Sequence, residues 1–279
     1  MKLLLDSFWR AALYCLHPKV MLLSLLPLLL LAIVGGLLGY FFWDTAVHVV
    51  WLWISESSFF STILDFFTRF GMGGFRTAIA PLIVIALATP ALIVLVMLVV
   101  AFLMTPALLT LVGHRRFSTL AQAGQASVWR SVAWSLSSTL AALFLLLLSI
   151  PLWFVPPLIM IVPPLIWGWL TYRVMSFDAL SAHATSEERR AIFKEHRAAL
   201  LGIGIMAGYL GAMPSLIWAA GAMAAVFAIV LLPVALWLYT LIFAFSSLWF
   251  IHYCLAALEQ HRAATAQTLV TPLKEIEHA

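Results

Sequence analysis

Charge is what this sequence has least of. Asp, Glu, Lys and Arg make up 9% of its 279 residues, against about 25% in a soluble globular domain. With 65% of residues hydrophobic, a soluble fold could not cover its own surface, and that class is excluded. Cysteine is nearly absent too. Cys15 and Cys254 are too few for a disulfide framework or a zinc site, and both read as small apolar residues at helix ends. No charged side chain interrupts the long hydrophobic runs, which argues against a proton relay or a charge-lined ion path through a bilayer. GxSxG, HExxH and paired aspartates are missing, so no enzyme is expected. His183 and Glu187 could share a helical face, but they read as solvated loop residues. No metal or other cofactor is expected. Basic residues cluster nowhere more densely than at His114-Arg115-Arg116, so the net charge of +4 reads as loop bias rather than nucleic-acid binding.

What the chain has in abundance is apolar sequence broken by proline. Ser131 to Tyr172 is a run of 42 residues without charge or histidine, about 63 Å as one helix and twice the hydrocarbon thickness of a bilayer. It must turn round, and Pro151, Pro156 and Pro157 are where helix stops most readily. Residues 131–172 therefore read as a helical hairpin, fully spanning or re-entrant. Ahead of it, residues 1–19 read as an interfacial amphipathic helix: Leu5, Trp9, Ala12, Leu13 and Leu16 form an apolar face opposite Asp6 and Arg10, and Pro18 closes it. This is not expected to be a cleaved signal peptide. Residues 20–43 are long enough to span once, with Gly35 and Gly39 as a GxxxG pair. Residues 44–76 read as a periplasmic amphipathic segment of interfacial aromatics with a Gly71-Met72-Gly73-Gly74 turn. A second long span covers 77–113, kinked or broken by Pro81, Pro90 and Pro106, and ends at His114-Arg115-Arg116.

After a polar connector and the hairpin, residues 173–197 form a cytoplasmic segment. There Thr185-Ser186-Glu187-Glu188 has the form of a capping box, from which a helix should run on into the membrane. Residues 198–254 read as a second hairpin. Its first arm carries Gly204, Gly208 and Ala212 as a small-residue ladder suited to close helix packing, and its turn lies between Pro214 and Pro233. Residues 255–279 read as a polar tail, frayed beyond Gln267. Of the 15 Lys and Arg residues, all but Arg69 and Arg76 fall in segments that an N-in chain keeps inside. The expected fold class is all-α: a polytopic helical membrane protein with two long transmembrane helices and two membrane-inserted hairpins, N-in and C-in.

Short pieces along residues 5–255 resemble a known family. Trp169-Leu170-Thr171-Tyr172, Phe177-Asp178 and Phe193-Lys194-Glu195-His196-Arg197 resemble the segment between hairpins in CysZ-like sulfate transporters, grouped with the etoposide-induced membrane proteins. Trp9-Arg10, Pro18, Pro27 and Thr105-Pro106 fit the same pattern. The resemblance implies two long helices with inserted hairpins, self-association as a homo-oligomer, residence in the bacterial inner (cytoplasmic) membrane, and passage of sulfate. Family members carry a Gly-Leu-Leu-Ala-Glu-like motif after that proline, associated with sulfate binding. This chain reads Ala107-Leu108-Leu109-Thr110-Leu111-Val112 instead, and it contains no asparagine.

The function expected is therefore passage of a small anion, with sulfate the one the resemblance names. The alternative is a non-transporting scaffold or stress-related factor acting through helix–helix association. Partners are the lipid bilayer, the anion and a second copy of the chain. Candidate anion-binding residues are His114, Arg115 and Arg116 at the end of the second span, Thr105 within it, and Ser215. Helix N-termini freed at Pro156-Pro157, Pro163-Pro164 and Pro214-Ser215 are further places where amide hydrogens could face an anion.

Overall fold

A computed structural model describes residues 2–58, 60, 62, 66, 69, 74–124, 128–214 and 228–277, without the side chains of 75, 76, 128, 228, 229 and 268–277. Among these residues there is helix and turn but no strand. The helices are α1 (Lys2–Cys15), α2 (Pro18–Glu56), α3 (Gly74–Arg116), α4 (Val128–Ser149), α5 (Pro156–Ser181), α6 (Ser186–Glu195), α7 (Arg197–Ala212) and α8 (Ala228–Glu277), with a 3₁₀ turn at Ile150–Phe154. Stretches within α2, α3, α4, α5 and α8 are long and apolar enough to cross a membrane. The protein is thus a multi-pass helical membrane protein in contact with lipid.

Two compact units can be separated: Met1–Ser24 with Leu103–Ala279, and Leu25–Phe102. In the second unit Ile54 and Ala80 form a small core with Val47, Val50, Trp51, Ile79 and Ile83. Gly35 faces Leu92 there, whereas Gly36 and Gly39 face open space. Only the first glycine of the GxxxG pair is therefore used for packing inside this unit.

Helices outrun several expected boundaries. α2 does not end at Trp43 but continues through Asp44 to Glu56. No glycine or proline lies between them, and a single acid is no obstacle to helical hydrogen bonding. The helix over 74–116 is unbroken at Pro81, Pro90 and Pro106. In an apolar surround no water competes for the backbone groups a proline frees, so helix persists. Much of 44–76, including Gly71, Met72 and Gly73, lies outside the described residues, as do Ser215 and the turn of the second hairpin.

The first hairpin is present. α4 and α5 pack on each other on either side of the 3₁₀ turn. Pro151 and Pro156 sit at the starts of the turn and of α5, where a missing amide costs nothing. α5 then runs through Pro163 and Pro164 to Ser181, beyond the expected limit at Tyr172. The capping box is also present: Glu188 N donates to Thr185 Oγ1 at 3.2 Å, and Thr185 N to Glu188 Oε2 at 2.8 Å. α6 does not run on unbroken, because His196 interrupts it before α7.

α7 lies against α5 backbone to backbone. A Cβ on Gly168 would come within 2.6 Å of Ile205 Cα, and one on Gly208 within 2.9 Å of Pro164 O. One on Gly204 would collide with Gly168 O. The small-residue ladder is thus spent on packing within the chain. α8 is the axis of the first unit, packing against α1, α5, α6 and α7. Every residue from Ser246 to Leu258 is buried, which carries burial into the stretch expected as a polar tail. Helix continues to Glu277.

Candidate anion site

Among the described residues, those expected to bind an anion do not converge on one site. Arg116 is already engaged. Its Nη2 donates to Asp6 Oδ2 at 2.9 Å, and its Nη1 lies 3.2 Å from Nδ1 of buried His252. A guanidinium only donates, so Nδ1 accepts and the His252 proton sits on Nε2, a buried atom with no partner among the described residues. Asp6 also pairs with Arg10. The Arg10 hydrogen bond holds the Asp6 carboxyl below its usual range, opposed by burial and helped by the charges of Arg10 and Arg116. Arg116 therefore ties α3 to α1 and α8. Arg115 and His114 are exposed at the end of α3.

Thr105 lines a small recess of only about 10 Å³ with Leu109, Met175, Asp178, Ala179, Ser247 and Ile251. A carboxyl in the same recess repels an anion whenever it is ionised. The proline-freed helix starts offer little either. Pro156 and Pro157 have no amide hydrogen, and Leu158 N donates to Val155 O at 2.9 Å. Pro163 and Pro164 are internal to α5 and free no helix start. His183 and Glu187 do not meet as a site, since His183 is buried and Glu187 exposed.

Positive charge gathers elsewhere. Arg130 on α4 and Arg189 and Arg190 on α6 converge on a pocket of about 420 Å³, lined also by Trp134, Phe177, Phe193 and Ser186. Two aromatic rings of its lining each hold an arginine. Arg173 Cζ lies 4.4 Å from the Trp134 ring. Trp134 is stacked on Phe177 with centroids 5.2 Å apart, and Arg189 Cζ lies 4.4 Å from the Phe177 ring. Cation–π attraction fixes both arginines in the stack. Trp134 Nε1 donates to Arg173 O at 3.0 Å, which sets the plane of the stack.

Arg189 is the centre of this site. It is 8% exposed, and no ion pair is made by Arg130, Arg189 or Arg190 among the described residues. Burial first, then the like charges of Arg130 and Arg190, lower the Arg189 pKa from the usual arginine range. Glu188, the acid next to Arg189 in sequence, is committed elsewhere: it accepts from Arg262 at 2.7 Å and 3.0 Å. Three guanidinium groups held together without a counter-charge form a socket for an oxyanion, which each could bind through paired hydrogen bonds. The sequence signal was the adjacent Arg189-Arg190 pair after the capping box. Its partner Arg130 is about sixty residues away, and only the hairpin brings them together.

A family model described as sulfate transporter CysZ/etoposide-induced protein 2.4 matches residues 7–221. The chain belongs to this family. The match runs from within α1 through α7, hence it includes all three arginines of the pocket and both faces of the α5–α7 contact. No curated protein and no solved structure matches the chain. Within the family frame, the glutamate expected after Pro106 is absent, and the residues that replace it include Leu109, which lines the Thr105 recess.

Proposed function

We propose that this family member mediates passage of a small anion, with sulfate the first candidate, across a bacterial inner membrane, with its N- and C-termini inside, and that it does not catalyse a reaction. The observation that carries this reading is the convergence of Arg130, Arg189 and Arg190 without a counter-charge. On an N-in, C-in chain this pocket faces the cytoplasm, where it collects or releases the anion. Exposed Arg115 adds to the positive field at that face. Self-association is proposed through a small-residue face left open, such as Gly36 and Gly39, beside which nothing among the described residues lies within 4 Å. The same open face supports the alternative, a scaffold that works by helix association alone.

Reconstitution into sealed phosphatidylcholine liposomes tests the reading, comparing sulfate, chloride and phosphate uptake per inserted molecule. Sulfate flux should fall about tenfold in Arg130→Gln/Arg190→Gln, since each guanidinium bond to an anion is a strong charge-assisted one. Lysine at both positions should recover only part of it. Arg115→Gln should slow uptake mildly and only at low salt. Wild-type protein that passes none of the three anions would leave the scaffold reading in possession.

A further inference from the structure

We infer that the arginine pocket also receives the phosphodiester headgroup of an anionic phospholipid, which competes there with the small anion and makes passage depend on lipid composition. This rests on the reading that these arginines hold an oxyanion, and it adds a second, amphiphilic occupant that regulates the same site.

Size is the first reason. About 420 Å³ of cavity is in the range of sites for whole small molecules and more than one tetrahedral anion fills. The lining is the second. Beside the guanidinium groups lie the rings of Trp134, Phe177 and Phe193, which offer nothing to a bare sulfate but suit the glycerol and first methylenes of a lipid. The third reason is the surface leading away from the pocket. Following Arg130 along α4 at three- and four-residue steps come Ala133, Leu136, Leu140, Phe144 and Leu147, all exposed. That is an apolar track beginning at the charged group, along a helix long and apolar enough to cross the bilayer. A headgroup seated against Arg130 and Arg190 would lay its acyl chain on this track.

Depth agrees with the geometry. The pocket lies at the start of α4, beside the exposed indole of Trp129, an aromatic of the kind that marks the headgroup level. Basic pockets at the cytoplasmic ends of membrane helices are where acidic headgroups bind. Burial first and then the like charges of Arg130 and Arg190 lower the Arg189 pKa, and any bound phosphate offsets that repulsion. A free anion and a lipid phosphate therefore draw on the same three side chains, and occupancy by one excludes the other.

The test uses the full chain in nanodiscs of phosphatidylcholine alone or with phosphatidylglycerol, read by native mass spectrometry for retained lipid. Wild type should retain phosphatidylglycerol. Arg130→Gln/Arg190→Gln, which changes only exposed side chains, should retain it about tenfold less. Soluble dihexanoyl-phosphatidylglycerol should displace bound sulfate at concentrations about tenfold or more below those of glycerol 3-phosphate or inorganic phosphate, since only it has chains for the α4 track. Equal displacement by all three would identify a free-phosphate site and overturn the lipid proposal, as would equal retention by wild type and variant. Flux separates the two readings. Sulfate passage in pure phosphatidylcholine that phosphatidylglycerol does not slow removes the lipid proposal and leaves transport standing. Lipid retention without passage in any bilayer removes transport and leaves the lipid site.

Discussion

Arg262 joins three segments that are remote in sequence. Its Nε and Nη2 grip both oxygens of Glu188, Nη2 also donates to His183 O at 2.7 Å, and Nη1 donates to Ala121 O at 2.9 Å. One cation thus fastens α8 to the start of α6 and to two loops, and Arg262→Gln should cost about 2–3 kcal/mol, because it strands a partly buried carboxylate. The pH dependence follows from the same contacts. Arg262's hydrogen bonds lower the Glu188 pKa below its usual value, so Glu188 adds stability that is full above that usual value and lost as pH falls through the lowered one. His183 lies in the loop that Arg262 grips. Its pKa is lowered by burial first and then by the Arg262 charge. It stays neutral in the fold while the unfolded chain takes up a proton, so stability also falls as pH drops below about 6.5. Thermal midpoints in detergent should therefore decline in two stages on acidification, an upper one from His183 and a lower one from Glu188 and Asp6. Glu188→Gln should shrink the lower stage and leave the upper. An unchanged lower stage in that variant would mean the latch does not set acid stability.

At the scale of elements, the contact between α5 and α7 depends on glycine at three places. Gly168→Ala and Gly204→Ala each put a methyl where backbone atoms of the other helix already lie, so the helices must separate and lose contact along their length. Gly202→Ala and Gly211→Ala are controls on α7, with nothing among the described residues within 4 Å of them; there alanine should be neutral or stabilising by up to about 1 kcal/mol through helix propensity. Thermal unfolding of the four variants should split them into these two pairs, and a uniform response would show that close packing is not limiting. The ladder was legible from the four-residue spacing of Gly204 and Gly208, but Gly168 on the facing helix was not, because a spacing motif identifies only its own side of a contact. Local chemistry read true elsewhere as well: the Thr185–Glu188 cap and the proline start of α5 are decided by adjacent residues. Where reading failed, the deciding forces were not local. Pro81, Pro90, Pro106, Pro163 and Pro164 break helices in water but not here, Trp43 and Asp44 mark a polarity change rather than a helix end, and Arg116 is claimed by Asp6 more than a hundred residues away.

For the whole molecule, the question is which ends of the helices face which compartment. The first hairpin carries its exposed aliphatic and aromatic tip, Leu152, Trp153, Phe154 and Val155, at one end, and its arginine pocket at the other, where α4 starts and α5 ends. The proposed orientation rests on charge: the pocket end cannot be carried across a membrane cheaply, and the tip has no charge to retain it. The native thiols do not obscure the test. Cys15 and Cys254 are buried, and burial pushes the Cys15 thiol up to about 12, so neither supplies much thiolate for labelling. A cysteine at Glu187, an exposed position in α6, should react with a membrane-impermeant maleimide in inside-out vesicles and not in right-side-out cells. A cysteine at Phe154 should behave oppositely if the hairpin crosses fully, and react from neither side if it is re-entrant. Labelling of Phe154 from the cytoplasm would place tip and pocket on one side, and the arginines would then lose their assignment as the inner port for an anion.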